Sequence, residues 1–347
     1  MQDNYVFNPL ISKNFGDQEA LMTKTMTRIL LTGASGQIGS ELLKVLRRKH
    51  GPANVVAADI QALADPALRD GGPFEFCDVT KRERIEEVVQ KYGIDTIYHL
   101  AAILSATGEK NPQLAWNVNI TGTSHVLETA REHAMARVFI PSSIAAFGPE
   151  TPRANTPQET ILRPKTMYGL TKVAGELLAD YYVRRFGVDV RGCRFPGIIS
   201  HETLPGGGTT DYAVAIFFEA VKNRRYTCFL REDSRLPMMY MPDCLKSVTD
   251  LMAADFDRLR HHADFNLAAM SFTPAELAAA IKVHMPDFAI DYRPDFRQAI
   301  ADSWPTSIDD SASREECGWK PDYDLPAMVK DMLDVLTRRQ AEGKLNY

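Results

Sequence analysis

RILLTGASGQIGSELL (residues 28–43) decides how the chain is to be read. Its first part, RILLTG, is a short apolar run ending in glycine, the pattern of a parallel strand buried on both faces. Its last part opens SELLKVLRRKHG (40–51), a segment of helical period with basic residues late and a glycine at its end. Between them Gly33, Gly36 and Gly39 stand three apart. Glycines at a strand-to-helix turn let the chain double back. They also let backbone N–H groups approach a pyrophosphate at the positive end of the helix dipole. The first gap is one residue wider than the common dinucleotide pattern. The next strand, NVVAAD (54–59), supplies the context: Asp59 ends it, twenty residues after Gly39. A carboxylate there accepts hydrogen bonds from adenosine ribose hydroxyls and repels a 2′-phosphate, which favours NAD over NADP.

The same alternation continues outward. FEFCDV (74–79), TIYHLAA (96–102), RVFIPSS (137–143) and DVRGCRFPGII (189–199) read as strands. KRERIEEVVQKYG (81–93), residues 111–134 and residues 165–187 read as helices. Strand and helix in turn predict an α/β fold with a doubly wound parallel sheet. After about residue 196 the rhythm loosens. TLPGGGTTDYAV (203–214) reads as a glycine-rich loop running into a helix. TPAELAAAIKVHM (273–285) carries a capping box, with Thr273, Pro274 and Glu276. These later segments predict a small mixed lobe over the carboxyl edge of the sheet, where such folds bind ligands.

Composition narrows the partners. The 347 residues are 45% hydrophobic and 24% charged, with a net charge of −5 and no long Lys/Arg run. Nucleic acid and an anionic membrane are therefore poor partners, and no apolar run approaches the ~18 residues of a membrane span. The five cysteines are scattered without a C-x-x-C pair, which reads as reduced thiols in an intracellular protein. No H-E-x-x-H is present, and no metal is expected. Residues 1–26 read as an extension without chemistry. They lack the apolar core of a secretory signal and contain acids but no Arg, so the expected place is the cytoplasm, with mitochondria an alternative for a eukaryotic source.

Chemistry enters with Tyr168 and Lys172, four apart in YGLTK at a helix start, and so one turn above each other. A cation there is expected to lower the pKa of the phenol and let it act as a base. Ser143, at the end of a predicted strand 25 residues earlier, offers a hydroxyl to a substrate oxygen. Asp78 and the small residues of HLAA (Leu100, Ala101, Ala102) end two further strands where a ligand could approach.

Gly33-Gly36-Gly39, Asp59, Ser143 and Tyr168–Lys172 together resemble the extended short-chain dehydrogenase/reductases, over residues 27 to about 335. PSSIAAFGP (141–149), RFPGIIS (194–200), LPGGGTTDYAV (204–214) and LPMMYMPDC (236–244) are similar to the short-chain type of L-threonine 3-dehydrogenases within that family. One departure is Ser143, where close relatives often have Thr; either supplies a hydroxyl. The resemblance implies a Rossmann fold and NAD as cofactor. It implies a small-molecule substrate, L-threonine, oxidised at its β-hydroxyl to 2-amino-3-oxobutyrate. Tyr168, Lys172 and Ser143 would be catalytic. Gly33, Gly36, Gln37, Ile38, Gly39, Asp59, Asp78, Leu100, Ala101, Ala102, Pro196 and Ile198, with Tyr168 and Lys172, would hold the cofactor. Ser105, Ser143, Tyr168, Gly207 and Thr210 would hold the substrate; Trp304 falls in a shared stretch but reads as a packed aromatic.

The expected organisation is a nucleotide-binding domain over 27–195, rejoined by about 240–268, and a substrate lobe over 196–239 and 269–340. Helices near 112–133 and 168–186 are expected to pair in a homodimer, through Leu177, Leu178, Tyr181 and Tyr182 among others. Two other readings share these features. A sugar-nucleotide epimerase or dehydratase would retain its NAD with no net reduction. A non-catalytic NAD sensor would have no need of the intact Tyr–Lys pair.

Overall fold

The computed structural model describes residues 25–202 and 206–345. Most of the N-terminal extension, and residues 203–205 of the glycine-rich stretch, lie outside the described residues.

Five parallel strands begin the central sheet: β1 (Ile29–Thr32), β2 (Val55–Asp59), β3 (Phe74–Phe76), β4 (Thr96–His99) and β5 (Arg137–Phe139). The short β6 (Ser142–Ser143) leaves for another sheet, and β7 (Val190–Arg191) completes the first. The order is β3-β2-β1-β4-β5-β7, with every pairing parallel. Chain direction across the sheet reverses between β1 and β4, the crevice where open α/β sheets take ligands.

Alternation of side chains explains the two layers of helix. Ile29, Leu31, Val55 and Ala57 point to one face and are covered by Leu42, Leu43 and Leu46 of the helix Gln37–His50 and by Val248, Leu251 and Met252 of the helix Met241–Ala253. Leu30, Val56, Ala58 and Ile97 point to the other, under helices Arg82–Tyr92, Gly122–Glu132 and Met167–Phe186. With both faces covered, the strands read as near-continuous apolar runs. A third core joins helices Tyr212–Asn223, Pro274–His284 and Leu325–Ala341. The capping box at Thr273 and Glu276 is present.

Two expected strands are broken where the chain has to turn. RVFIPSS becomes β5 and β6, with Pro141, which has no N–H for a ladder, between them. DVRGCRFPGII becomes β7, β8 (Cys193–Phe195) and β9 (Gly197–Ile199), each in a different sheet. Gly192 and Pro196 are the joints. A Cβ on Gly192 would lie 2.0 Å from the Ile140 carbonyl oxygen, and Pro196 cannot donate. The remaining strands are β10 (Arg225–Cys228), β11 (Leu236–Tyr240), β12 (Phe265–Asn266), β13 (Met270–Phe272) and β14 (Ala289–Tyr292). They form three small sheets, β12-β8-β6, β13-β11-β9 and β10-β14.

The expected long helix over 111–134 is also interrupted. Pro112–Trp116 and Gly122–Glu132 are joined by a wider π turn, Asn117–Thr121, a feature frequent near functional sites. Asn119 in that turn accepts from Ile103 N at 2.8 Å and donates to Ile103 O and Thr171 Oγ1, both at 3.0 Å. It thereby ties the loop after β4 to the helix that carries Tyr168. Among the described residues no helix is long and apolar enough to cross a membrane.

Candidate active site

Two chambers meet along the carboxyl edge of the central sheet. The outer, about 430 Å³, is lined by Gly33, Ser35, Gly36, Asp59, Ile60, Gln61, Cys77, Asp78, Val79 and the chain from Leu100 to Leu104. The inner, about 240 Å³, is lined by Gly33, Gly36–Gly39, Ser105, Ser142–Ile144, Tyr168, Lys172, Phe195–Ile198, Gly208–Asp211 and Trp304. They share Gly33, Gly36, Leu100, Ala102 and Leu104.

The outer chamber is built mostly of backbone. Gly33 sits at φ 71°, and a Cβ there would lie 2.5 Å from Ala101 N. A Cβ on Gly39 would lie 2.1 Å from Gly33 O. The turn can be this tight only without side chains. The following helix has Gly36 as its N-cap, no side-chain cap and no acid in its first turn. Its first N–H groups lack intrahelical partners and carry the positive end of the helix dipole, which suits an anion. Asp59 accepts from Ser35 N at 2.9 Å and from Gln61 N at 3.1 Å, one contact to each carboxylate oxygen. Lone pairs remain for two hydroxyls. Asp78 lines the same chamber while accepting from Thr80 N at 2.9 Å and Thr80 Oγ1 at 2.8 Å. The residues present fit a dinucleotide: a glycine cradle that any Cβ would fill, a bare helix N-terminus, and an acid at the end of β2.

The inner chamber is built of side chains from distant segments. Helix Met167–Phe186 begins with Thr166 as N-cap, its hydroxyl accepting from Gly169 N, and Met167 N donates to Glu109 at 2.7 Å. A Cβ on Gly169 would lie 2.1 Å from Ala145 O, so this glycine lets the helix start press against the turn after β6. That approach brings Tyr168 beside Ser143, and both line the inner chamber. Ser143 also accepts from Ala145 N at 3.2 Å. Lys172 donates to Pro141 O at 2.7 Å and lies 5.4 Å from the centre of the Tyr168 ring.

Burial works against ionising the phenol. Burial pushes the Tyr168 phenol up to about 12, against the opposing influence of Ser143. The ammonium stands over the ring and spends a donor on a carbonyl, and its own pKa is pushed down to about 8 by burial. The pair alone does not make the phenol a base; further positive charge at the site has to do so.

Of the other expected site residues, Gln37, Ile38, Pro196 and Ile198 line the inner chamber, Ala101 the outer, and Leu100 and Ala102 both. Ser105, 3% exposed, opens the short helix after β4 and lines the inner chamber with Thr210. Gly207 lines neither chamber; its N–H donates to Asp211 at 2.8 Å, so it shapes the loop. Trp304 is both packed in the third core and part of the chamber wall. Sequence reasoning missed Thr209, whose buried Oγ1 has no partner among the described residues. It also missed Asp211, a wall residue whose carboxyl burial raises while Gly207 N and Gly208 N hold it. Both neighbour Thr210, and Thr209 is the more deeply buried of the two threonines.

The NAD dependent epimerase/dehydratase family model matches residues 29–268. An uncharacterized epimerase/dehydratase of Staphylococcus haemolyticus is 51% identical over 316 residues, 91% of this chain and 99% of the relative. The X-ray structure of L-threonine dehydrogenase from Clostridium difficile is 50% identical, with a TM-score of 0.89, over 93% of this chain and 100% of that one. A monomeric L-threonine 3-dehydrogenase from a metagenome, in its apo form, is 46% identical, with a TM-score of 0.86, over 89% of this chain and 99% of that one. With the model and these relatives spanning the sheet and both chambers, this chain belongs to the NAD dependent epimerase/dehydratase family.

Proposed function

We propose that this protein is an NAD-dependent L-threonine 3-dehydrogenase, oxidising the β-hydroxyl of L-threonine to 2-amino-3-oxobutyrate. The observation that carries the reading is the inner chamber. Beside Pro196 and Ile198 it is lined by the hydroxyls of Ser105, Ser143, Tyr168, Thr209 and Thr210. That suits a small polar substrate better than a sugar nucleotide. Similarity to two solved threonine dehydrogenases supports it. The test is NADH formation from NAD and L-threonine by the purified protein.

Gly33, Gly36, the N–H groups from Gln37 to Gly39, and Asp59 would hold the dinucleotide, with Pro196 and Ile198 beside its reactive end. When bound, oxidised nicotinamide accepts a hydride and brings the positive charge that the buried phenol lacks. Tyr168, as phenolate, takes the proton of the substrate β-hydroxyl. Ser143 donates a hydrogen bond to the oxygen as it becomes a carbonyl. The C–H bond breaks with its electron pair, leaving a ketone. Lys172, while protonated, favours the phenolate. Ser105, Thr209 and Thr210 orient the ammonium and carboxylate of the substrate.

In this reading residues 27–195 with 240–268 bind the nucleotide, and 196–239 with 269–340 form the substrate lobe. All five cysteines are free thiols, which fits a reducing compartment such as the cytoplasm. The helical stretches at about 112–133 and 168–186 would pair in a homodimer. Leu177 is 65% and Tyr181 53% exposed, joined by Leu114, Trp116, Leu170 and Phe186. Tyr182, expected on that face, is instead buried and bonded to Glu128 at 2.8 Å. A solution mass at micromolar concentration decides between dimer and monomer.

A further inference from the structure

Glu176 stands one helical turn beyond Lys172 and two beyond Tyr168, on the same stripe of the helix. It is 6% exposed. One carboxylate oxygen accepts from Ser142 Oγ and from Arg194 Nε at 3.0 Å; the other accepts from Arg194 Nη2 at 2.8 Å. Arg194 is itself fixed, donating to Gln158 O and Asn266 Oδ1, both at 3.1 Å, with its guanidinium over the Phe147 ring. Behind Lys172 lies a small chamber of about 20 Å³, walled by Glu176, Lys172, His99 and Ser142 among others. Ser142 also faces the inner chamber of the cleft and adjoins Ser143.

We propose that Glu176 is a positioning residue for this reaction: its carboxylate anchors Ser142 and faces the Lys172 ammonium across the small chamber, keeping that ammonium charged beside Tyr168. This rests on Tyr168 and Lys172 acting as proposed above. The groups facing Lys172 are Tyr168 and Glu176 on its own helix, His99 at the end of β4 and Cys193 on β8. Burial holds the His99 imidazole neutral, down to about 3, and pushes the Cys193 thiol well above its ordinary value. The groups facing Glu176 are Arg194 and, beyond it, Asp264 at 3.6 Å from the guanidinium. Burial raises the Glu176 carboxyl, and the two-pronged Arg194 contact favours its ionised form. Glu176 is therefore the anion opposing the burial that drives Lys172 down.

The experiment compares kcat/KM against pH for wild type, Glu176→Gln and Glu176→Asp, with Tyr168→Phe alongside. An opposite charge at close range moves a pKa by roughly 1–3 units, so Glu176→Gln should bring the alkaline limb down by about 1 pH unit. Glu176→Asp, which keeps the charge, should restore most of the shift. A purely structural role would lower the melting temperature of both variants and leave the limb in place. If Glu176→Gln strands the Arg194 charge and does not fold, Glu176→Gln/Arg194→Met removes both charges, and the limb should still come down, by less than in the single variant because the Arg194 cation is lost too. A limb at the wild-type pH in whichever variant folds overturns the proposal. Wild-type-like turnover in Tyr168→Phe would instead overturn the base assignment beneath it.

Discussion

The outer and inner chambers differ in what they are made of. The outer is mostly backbone: a glycine turn and the strand ends at 59–61, 77–79 and 100–104, with two aspartates, Asp59 and Asp78. The inner is side chain: hydroxyls and a phenol from four segments between Ser105 and Asp211, with Trp304 behind them. A backbone site suits a ligand portion whose recognition does not depend on particular side chains. A side-chain site can change its substrate by changing a few residues while the cradle stays.

That contrast can be broken most sharply at Tyr168. Tyr168→Phe deletes one oxygen from the inner chamber and touches nothing in the outer, so turnover should fall by about 10²- to 10⁴-fold while NAD titration is unchanged. A variant retaining more than about a tenth of wild-type kcat would remove Tyr168 from the role of base, given what a positioned base contributes. Next in size is Thr210→Ala. A hydroxyl bonded to a charged group contributes roughly 1.5–3 kcal/mol, so kcat/KM for threonine should drop about ten- to a hundredfold, again with NAD affinity intact. Thr209→Ala made in parallel shows which of the two hydroxyls the substrate uses. Asp59→Ala should do the reverse. It should weaken the preference for NAD over NADP and leave the KM for threonine near wild type. Equal kcat/KM with both dinucleotides in the wild type would contradict the role given to Asp59.

His99 ends β4 in the wall of the small chamber behind Lys172, 3% exposed, with its Nδ1 at 2.8 Å from Thr32 Oγ1. Burial first, and Lys172 second, lower its pKa to about 3. An unfolded histidine titrates near 6.5, so below that pH the unfolded chain binds a proton the folded chain refuses. Stability is unaffected by this group above about pH 6.5, and it declines as pH falls toward about 3, by at most ~1.4 kcal/mol per pH unit. Urea unfolding of wild type and His99→Gln at pH 7.5 and 5 should show the wild-type advantage shrinking at the lower pH. A constant difference would mean His99 is not buried neutral.

The two regions were also unequally legible. The cradle could be read because its parts are close in sequence and each glycine has a backbone reason: positive φ at Gly33, close packing at Gly39. Tyr168 and Lys172 could be read because helical geometry alone puts them together. The inner wall could not be read from periodicity. It forms where β6, β8 and β9 peel away from the central sheet at Pro141, Gly192 and Pro196, and an apolar run shows no sign that its neighbours will pair in different sheets. Thr209, Asp211 and the second role of Trp304 depend on that fanning. Glu176 reads as an ordinary helix acid until β8 brings Arg194 to it and β6 brings Ser142.

The most direct test is a substrate panel read by NADH formation: L-threonine, L-serine, D-threonine, 3-hydroxybutyrate and a UDP-sugar, each with NAD. L-Threonine should be the best substrate. L-Serine should trail it by about 1–3 kcal/mol in transition-state binding, the worth of one methyl in an apolar pocket. If 3-hydroxybutyrate or the UDP-sugar outran L-threonine, the substrate assigned to the inner chamber would be wrong, while the cradle of the outer one would stand.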